Sequence, residues 1–340
     1  MLKGVRKITA LGLIAVLGMF NGCGTKLDNE NVEIINVSYD PTRELYEEYN
    51  QKFKEYWKEK TGQNLDIVQS HGGSGKQARS VIEGNDADVV TLALEHDIEA
   101  IQKEGLIKKD WIKEFDNNSA PYNSTIVFLV RKNNPKKIKD WDDLIKEGVD
   151  IITPNPKSSG GACWNFLAAW SYAKDKFDGN EDEIQSFVQK LYHNVSVLDS
   201  GARAATTSFV ENGQGDVLIA WENEAYLTLK DHPNDYEIVS PSISILAEPS
   251  VAVVDENTKR KGTTKVSKAY IEYLYTDDSQ RLIAENYYRP SKKEILNEYS
   301  DKFDLNIKMT TINDFGGWDK AYKDFFEDGA IFDDIYTRKK

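Results

Sequence analysis

The stretch SHGGSGKQ, residues 70–77, places three glycines, two serines, a histidine and a lysine in eight positions, just after the apolar run LDIV. Gly75-Lys76 suggests a nucleotide phosphate loop. That loop needs G-x-x-x-x-G-K-[ST], whose final hydroxyl holds magnesium. Here Gln77 stands in the hydroxyl position and Ser70 in that of the first glycine, so nucleotide chemistry is excluded. What remains is the physics of an anion site. A turn that follows a strand and opens a helix presents unpaired N–H groups and about half a positive charge. Glycine lets the backbone come close to what it binds.

The pattern recurs. NPKSSGGA (155–162) and DSGARAA (199–205) each set small residues between an apolar run and a helical one. In parallel α/β sheets such turns lie at the carboxyl ends of strands, where ligands bind. Three helix ends of about half a charge each nearly balance a dianion. Catalytic signals are thin. His71, His96, His193 and His232 lack metal-ligand spacing, and no G-x-S-x-G elbow occurs. Cys163, near a helix start, is the one candidate for an activated thiol, with no histidine partner suggested by the sequence. A surface hydrolase or thiol enzyme using Ser74 or Cys163 is the alternative from another functional class.

The elements that position these turns follow from periodicity. VEIINVSYD (32–40) reads as a strand, and Asp40-Pro41 as a cap and first helical residue. Leu45, Tyr49, Phe53 and Trp57 recur at helical spacing, and Gly62 ends that helix. LDIVQS and ADVVTLAL are further strands, so the first third is β-α-β-α-β with a parallel sheet. A second β-α-β set runs from STIVFLVR (124–131) through VDIITPNP and NVSVLDS to DVLIAW, and the chain from about residue 264 is mainly helical. Two such sets favour two α/β lobes over a single large mixed sheet. The expected lobes are 32–123 with 246–340, C-terminal helices included, and 124–245. STIVFLVR going out and ILAEPSVAVV coming back would form a strand hinge.

Composition sets the outer bounds. The chain has 340 residues, 40% of them apolar and 11% aromatic, enough for packed lobes. A net charge of −13 argues against a nucleic-acid partner, though not against a small anion held by a local positive potential. Lys3, Arg6 and Lys7, then the apolar run Ile8 to Phe20, then FNGC, read as a signal peptide over residues 1–23. A small residue before Cys23 resembles a lipoprotein cleavage box, with Cys23 as the lipidated N-terminus and 24–31 as a tether; Phe20 stands where leucine is commonest. The other reading is an ordinary secreted protein. The run is too short to span a bilayer comfortably, so the body is expected to be exported and membrane-associated only through lipid.

In long ordered blocks the chain resembles a known family. INVSYDPTRELYEEYN, QSHGGSGKQARSVI, ADVVTLAL, SAPYNSTIVFLVRKNNPK, ITPNPKSSGGA, VLDSGARA, GDVLIAWENEA and the C-terminal FGGWDKAYKDFFEDG are similar to the exported sulfate-binding proteins of bacterial ABC importers. The resemblance implies a two-lobed periplasmic-binding-protein-like fold of type II and no catalysis. It implies sulfate as ligand, with no cofactor, and thiosulfate or another tetrahedral oxyanion as alternative. The implied partners are a membrane permease and its cytosolic ATPase, with the protein itself a monomer. It implies donors from Ser74, Ser159, Gly160, Gly161 and the backbone of Ala202, and from the indole N–H of Trp221. Asp40 and Arg203 would stand behind them. Cys163 departs from the family, which commonly has arginine after SSGGA.

Overall fold

The computed structural model describes residues 31–337. The signal peptide, Cys23 and all of the expected tether but Asn31 lie outside the described residues. Asn31 is already the first residue of strand β1 (Asn31–Tyr39).

β1 leads into helix α1 (Arg43–Thr61), which buries Leu45, Tyr49, Phe53 and Trp57 as their spacing predicts. Gly62 ends α1 in the left-handed region at φ 78°, donating its N–H to the Lys58 carbonyl at 2.9 Å. Strand β2 (Asn64–Gly72), helix α2 (Ser74–Ile82), strand β3 (Val89–Leu92) and helix α3 (Glu95–Lys103) complete the first run. β1 pairs in parallel with both β2 and β3, the geometry a βαβ crossover requires.

The chain then enters strand β4 (Ile126–Arg131), followed by strand β5 (Ile151–Pro154), helix α4 (Gly160–Lys176) and helix α5 (Glu181–His193). Strand β6 (Val195–Asp199), helix α6 (Ala202–Val210), strand β7 (Val217–Trp221), helix α7 (Glu222–Asp231) and strand β8 (Tyr236–Val239) follow. These strands form a five-stranded sheet in the order β6-β5-β7-β4-β8. β5 runs parallel to β6 and β7, while β4 is antiparallel to β7 and β8. β4 is apolar and buried from Ile126 to Val130, as expected of a strand covered on both faces. After strand β9 (Ile243–Ile245), strand β10 (Ser250–Val253) returns to the first sheet and pairs antiparallel with β3, giving the order β10-β3-β1-β2. Two of the segments that cross between the sheets bond to each other. Ser124 and Ala247 exchange both backbone hydrogen bonds at 2.9 Å.

The C-terminal part divides between the sheets, which corrects the expectation that all its helices join the first lobe. Helix α8 (Thr264–Tyr273) does so: the Tyr270 ring meets Phe53 of α1 edge-on at 5.1 Å. Strand β11 (Lys308–Thr310) lies with the second sheet, helix α9 (Trp318–Phe325) packs on both, stacking Tyr322 on His96 of α3, and helix α10 (Ile331–Thr337) packs on the second. β11 pairs with β9. Trp318 packs edge-on against Trp164 of α4 at 4.7 Å, Phe325 against Trp170 at 4.8 Å, and Phe332 against Tyr192 of α5 at 5.4 Å. Helix α4 is buried nearly all round, so it needs a cover on the side away from its own sheet. The aromatic face of α9 and α10 supplies it.

Candidate anion site

The three small-residue turns sit at the carboxyl ends of parallel strands, as their sequence context implies. β2 ends at Gly72 and α2 begins at Ser74; β5 ends at Pro154 and α4 begins at Gly160; β6 ends at Asp199 and α6 begins at Ala202. Each of these residues opens its helix, so its N–H has no carbonyl one turn earlier to bond. The α2 start comes from the first sheet, and the α4 and α6 starts from the second.

The first two turns meet across the sheets. A methyl group placed on Gly160 would lie 2.9 Å from Ser74 Cβ, 3.0 Å from Leu94 Cγ and 3.3 Å from Ala93 Cβ. A methyl on Gly73 would lie 3.0 Å from the Ser158 carbonyl oxygen. Glycine is therefore required at Gly160 by close approach rather than by its own backbone angles. Trp221 closes the group from the end of β7. Its indole Nε1 donates to the Gly161 carbonyl at 3.0 Å, and a methyl on Gly161 would come within 3.3 Å of that nitrogen and 3.7 Å of Ser159 Oγ. The Trp221 ring leans on Tyr39, centroids 5.5 Å apart, at the end of β1. Trp221 and Ala202 also line one small cavity with Pro154, Asn165, Ala205 and Glu224. Ser74, Ser159, Gly160, Gly161, Ala202 and Trp221 thus form one connected patch, although they come from both sheets.

Two donors are engaged with the protein in this arrangement. The Ser74 hydroxyl donates to Asp97 Oδ2 at 2.5 Å and accepts from the Ala93 N–H at 3.0 Å. Asp97 is buried, and burial pushes its carboxyl up to about 6 against the opposing pull of the Ser74 bond. The Trp221 N–H is held by Gly161, as described. An anion entering here would draw both protons away from these acceptors.

The flanking charged groups are paired. Arg203 Nη2 bonds Glu44 Oε1 at 2.7 Å and lies 3.7 Å from Glu224 Oε1. Asp40 reaches across from the first sheet: a methyl on Gly201 would be 3.4 Å from its Oδ2. Burial raises the Asp40 carboxyl, with Arg43 and Arg203 opposing. Lys76 is exposed. Cys163 is buried with its Sγ 3.4 Å from the Pro156 carbonyl, and burial pushes its thiol well above the ordinary value, the reverse of an activated thiolate.

Several partners of the site escape a reading of the sequence. Gln77, which spoiled the nucleotide loop, donates to the Ser38 carbonyl at 3.0 Å and to Ser70 Oγ at 3.1 Å. It ties the turn back to β1 and β2, so both departures from the phosphate loop serve one brace. Asp97 lies 23 positions beyond Ser74 in the chain, outside any glycine-rich motif, and gives no local signal. Glu222, next to Trp221, forms a buried two-pronged pair with Arg289 at 2.6 and 2.8 Å, fixing the start of α7 behind the site.

The sequence matches the bacterial extracellular solute-binding proteins over residues 35–289. It is 57% identical over 316 residues to the sulfate-binding protein of Escherichia coli, an overlap of 92% of this chain and 96% of that one. It is 47% identical over 306 residues to the thiosulfate-binding protein of Pseudomonas aeruginosa, covering 89% and 92% of the two chains. Among solved structures, the sulfate-binding protein of Mycobacterium tuberculosis superposes with a TM-score of 0.78 at 33% identity, over 87% of this chain and all of that one. The two-sheet α/β fold expected from the sequence is the fold of these solute-binding proteins. With the matched region holding all three helix starts and Trp221, the chain belongs to the bacterial extracellular solute-binding protein family.

Proposed function

We propose that this protein binds sulfate between its two sheets and delivers it to an ABC importer. The observation that carries the reading is the meeting of two helix starts from different sheets, Gly160 against Ser74, with Trp221 and Ala202 adjoining. The bound anion would take backbone N–H groups of Gly160, Gly161 and Ala202, the hydroxyls of Ser74 and Ser159, and the Trp221 indole N–H. Asp40 and Arg203 would brace the surrounding loops. The relatives described as sulfate- and thiosulfate-binding proteins support the ligand class.

The donor set favours sulfate over hydrogen phosphate. Sulfate only accepts hydrogen bonds, and each of these groups can donate. Hydrogen phosphate carries a proton that needs an acceptor, and none of the six groups that would hold the anion presents a carboxylate or carbonyl oxygen to it. An unpaired buried proton costs about 1–3 kcal/mol, or about 5- to 150-fold in affinity. The protein acts as a monomer without cofactor. Its two lobes, joined by the Ser124–Ala247 crossing, close about that crossing on the anion. Cys23 carries the lipid that holds the body near a permease and its cytosolic ATPase.

Competition calorimetry tests the reading. Sulfate should bind one to one, thiosulfate should compete, and phosphate should compete least. Tighter binding of phosphate than of sulfate, or no heat with either sulfur oxyanion, overturns it; thiosulfate stronger than sulfate reassigns the ligand within the same site.

A further inference from the structure

Away from the anion site, His96, Glu99 and Asp319 bring one imidazole nitrogen and two carboxylate oxygens within 4.8 Å of one another. His96 and Glu99 project from the same side of α3, one turn apart, a spacing that lets two side chains share a ligand. Asp319 stands in the first turn of α9. His96 Nδ1 is 3.9 Å from Asp319 Oδ1, too far for a hydrogen bond. Both His96 Nδ1 and Glu99 Oε2 are buried atoms with no hydrogen-bond partner among the described residues. Unpaired buried polar atoms are uncommon, and two of them facing one exposed carboxylate ask for a ligand. The His96 ring is held flat against Tyr322, centroids 3.9 Å apart at 13°, which fixes where Nδ1 points.

The charge balance points the same way. Two carboxylates meet one imidazole, with Glu95 and Glu327 adding negative field and Lys103, exposed and 3.8 Å from Asp319, opposing. We infer that His96, Glu99 and Asp319 form a site for a borderline divalent transition metal of the zinc class. The imidazole selects against calcium and magnesium, which take oxygen ligands. Tetrahedral zinc with bonds of about 2.1 Å holds its ligand atoms about 3.4 Å apart, so the group must draw in by about an ångström. Asp319, with 72% of its side chain exposed, is free to make that movement. A water would fill the fourth position.

Its placement gives the site a mechanical role. α3 belongs to the first sheet, whereas α9 is fastened to the second through Trp318 on Trp164. A metal ion here would add to the Tyr322–His96 stack a second tie between the two halves at their rim.

The test uses the protein stripped of metal with a chelator and carrying no histidine tag. Zn2+ titrated by calorimetry should bind one ion per chain, and Co2+ should give the visible absorption of a four- or five-coordinate ion. Asp319→Asn should weaken Zn2+ binding at least about tenfold and His96→Gln should weaken it further, in line with loss of a ligand. Sulfate binding by Asp319→Asn measures whether the fold is intact, and this exposed position decides the matter even if His96→Gln misfolds. Absence of Zn2+ binding, equal affinity in the variants and the wild type, or equal competition by Ca2+ overturns the inference.

Discussion

Gly160→Ala separates closure of the site from stability of the chain. The added methyl would stand 2.9 Å from Ser74 Cβ and 3.0 Å from Leu94 Cγ, both on the first sheet's side of the junction. Ordinary carbon contacts begin at about 3.5 Å, so the halves must part by about 0.5 Å at this point. Ser74 Cβ and Ala93 Cβ sit next to the backbone and cannot swing aside, which leaves movement of one sheet against the other. Overpacking of this kind costs about 1–3 kcal/mol. Because the backbone N–H survives the substitution, the loss is steric, and sulfate affinity should fall about 5- to 150-fold. The same methyl lies in a helix, where alanine is preferred to glycine by up to about 1 kcal/mol. Unfolding in urea without sulfate should therefore show unchanged or slightly raised stability, with the halves apart. Gly161→Ala is the comparison: its methyl meets Trp221 Nε1 at 3.3 Å within the second sheet's own side, so any loss of binding there comes from the donors and not from the meeting of the sheets. Calorimetry with sulfate on the three proteins decides it. Affinity of Gly160→Ala within about twofold of wild type, or a fall in ligand-free stability as large as the fall in binding, would refute the reasoning.

Two further outcomes follow from buried charge. Arg289→Met removes one partner of the pair with Glu222, whose side chains are only 6% and 2% exposed, and should cost about 3–5 kcal/mol in urea unfolding; Arg289→Met with Glu222→Gln should recover part of it, and equal loss in both variants would sink the account. Burial pushes the Glu224 carboxyl up to about 7, with the nearby Arg203 opposing, so the folded chain holds this proton more tightly than the unfolded chain does. That stabilisation is complete below the ordinary carboxylate range and is lost as pH rises through about 7, at most about 3 kcal/mol from this group. The Tm of the wild type should thus fall between pH 5 and pH 8, and Glu224→Gln should flatten the slope in scanning calorimetry; an unchanged slope would assign the dependence elsewhere.

The three turns were legible because glycine and serine at a strand-to-helix junction carry their meaning locally. Their meeting was not, because it depends on how two sheets face each other. Ser74 was identified as a donor from its place in the motif, yet the acceptor that holds its proton, Asp97, sits 23 positions along the chain and inside an ordinary helix. Trp221 could be read as core or as donor; in the structure it is both buried and bonded, through a carbonyl no spacing rule reveals. The misplaced C-terminal helices teach the same point. The amphipathic pattern of GWDKAYKDFFEDG specifies one buried face, and only the aromatic side of α4 facing away from its own sheet determines what that face covers.

The reciprocal bonds between Ser124 and Ala247 have a mechanical consequence. Two extended segments bonded side by side form a flat ribbon, and a ribbon flexes across its face far more readily than within its plane. Sliding one sheet past the other would break these bonds, whereas tilting preserves them. With Arg289–Pro290 paired alongside Tyr122–Asn123, the crossing is a short three-segment ribbon; if the sheets part as proposed, it would give that motion one soft direction, and the Gly160 and Ser74 turns would separate and re-engage in registry.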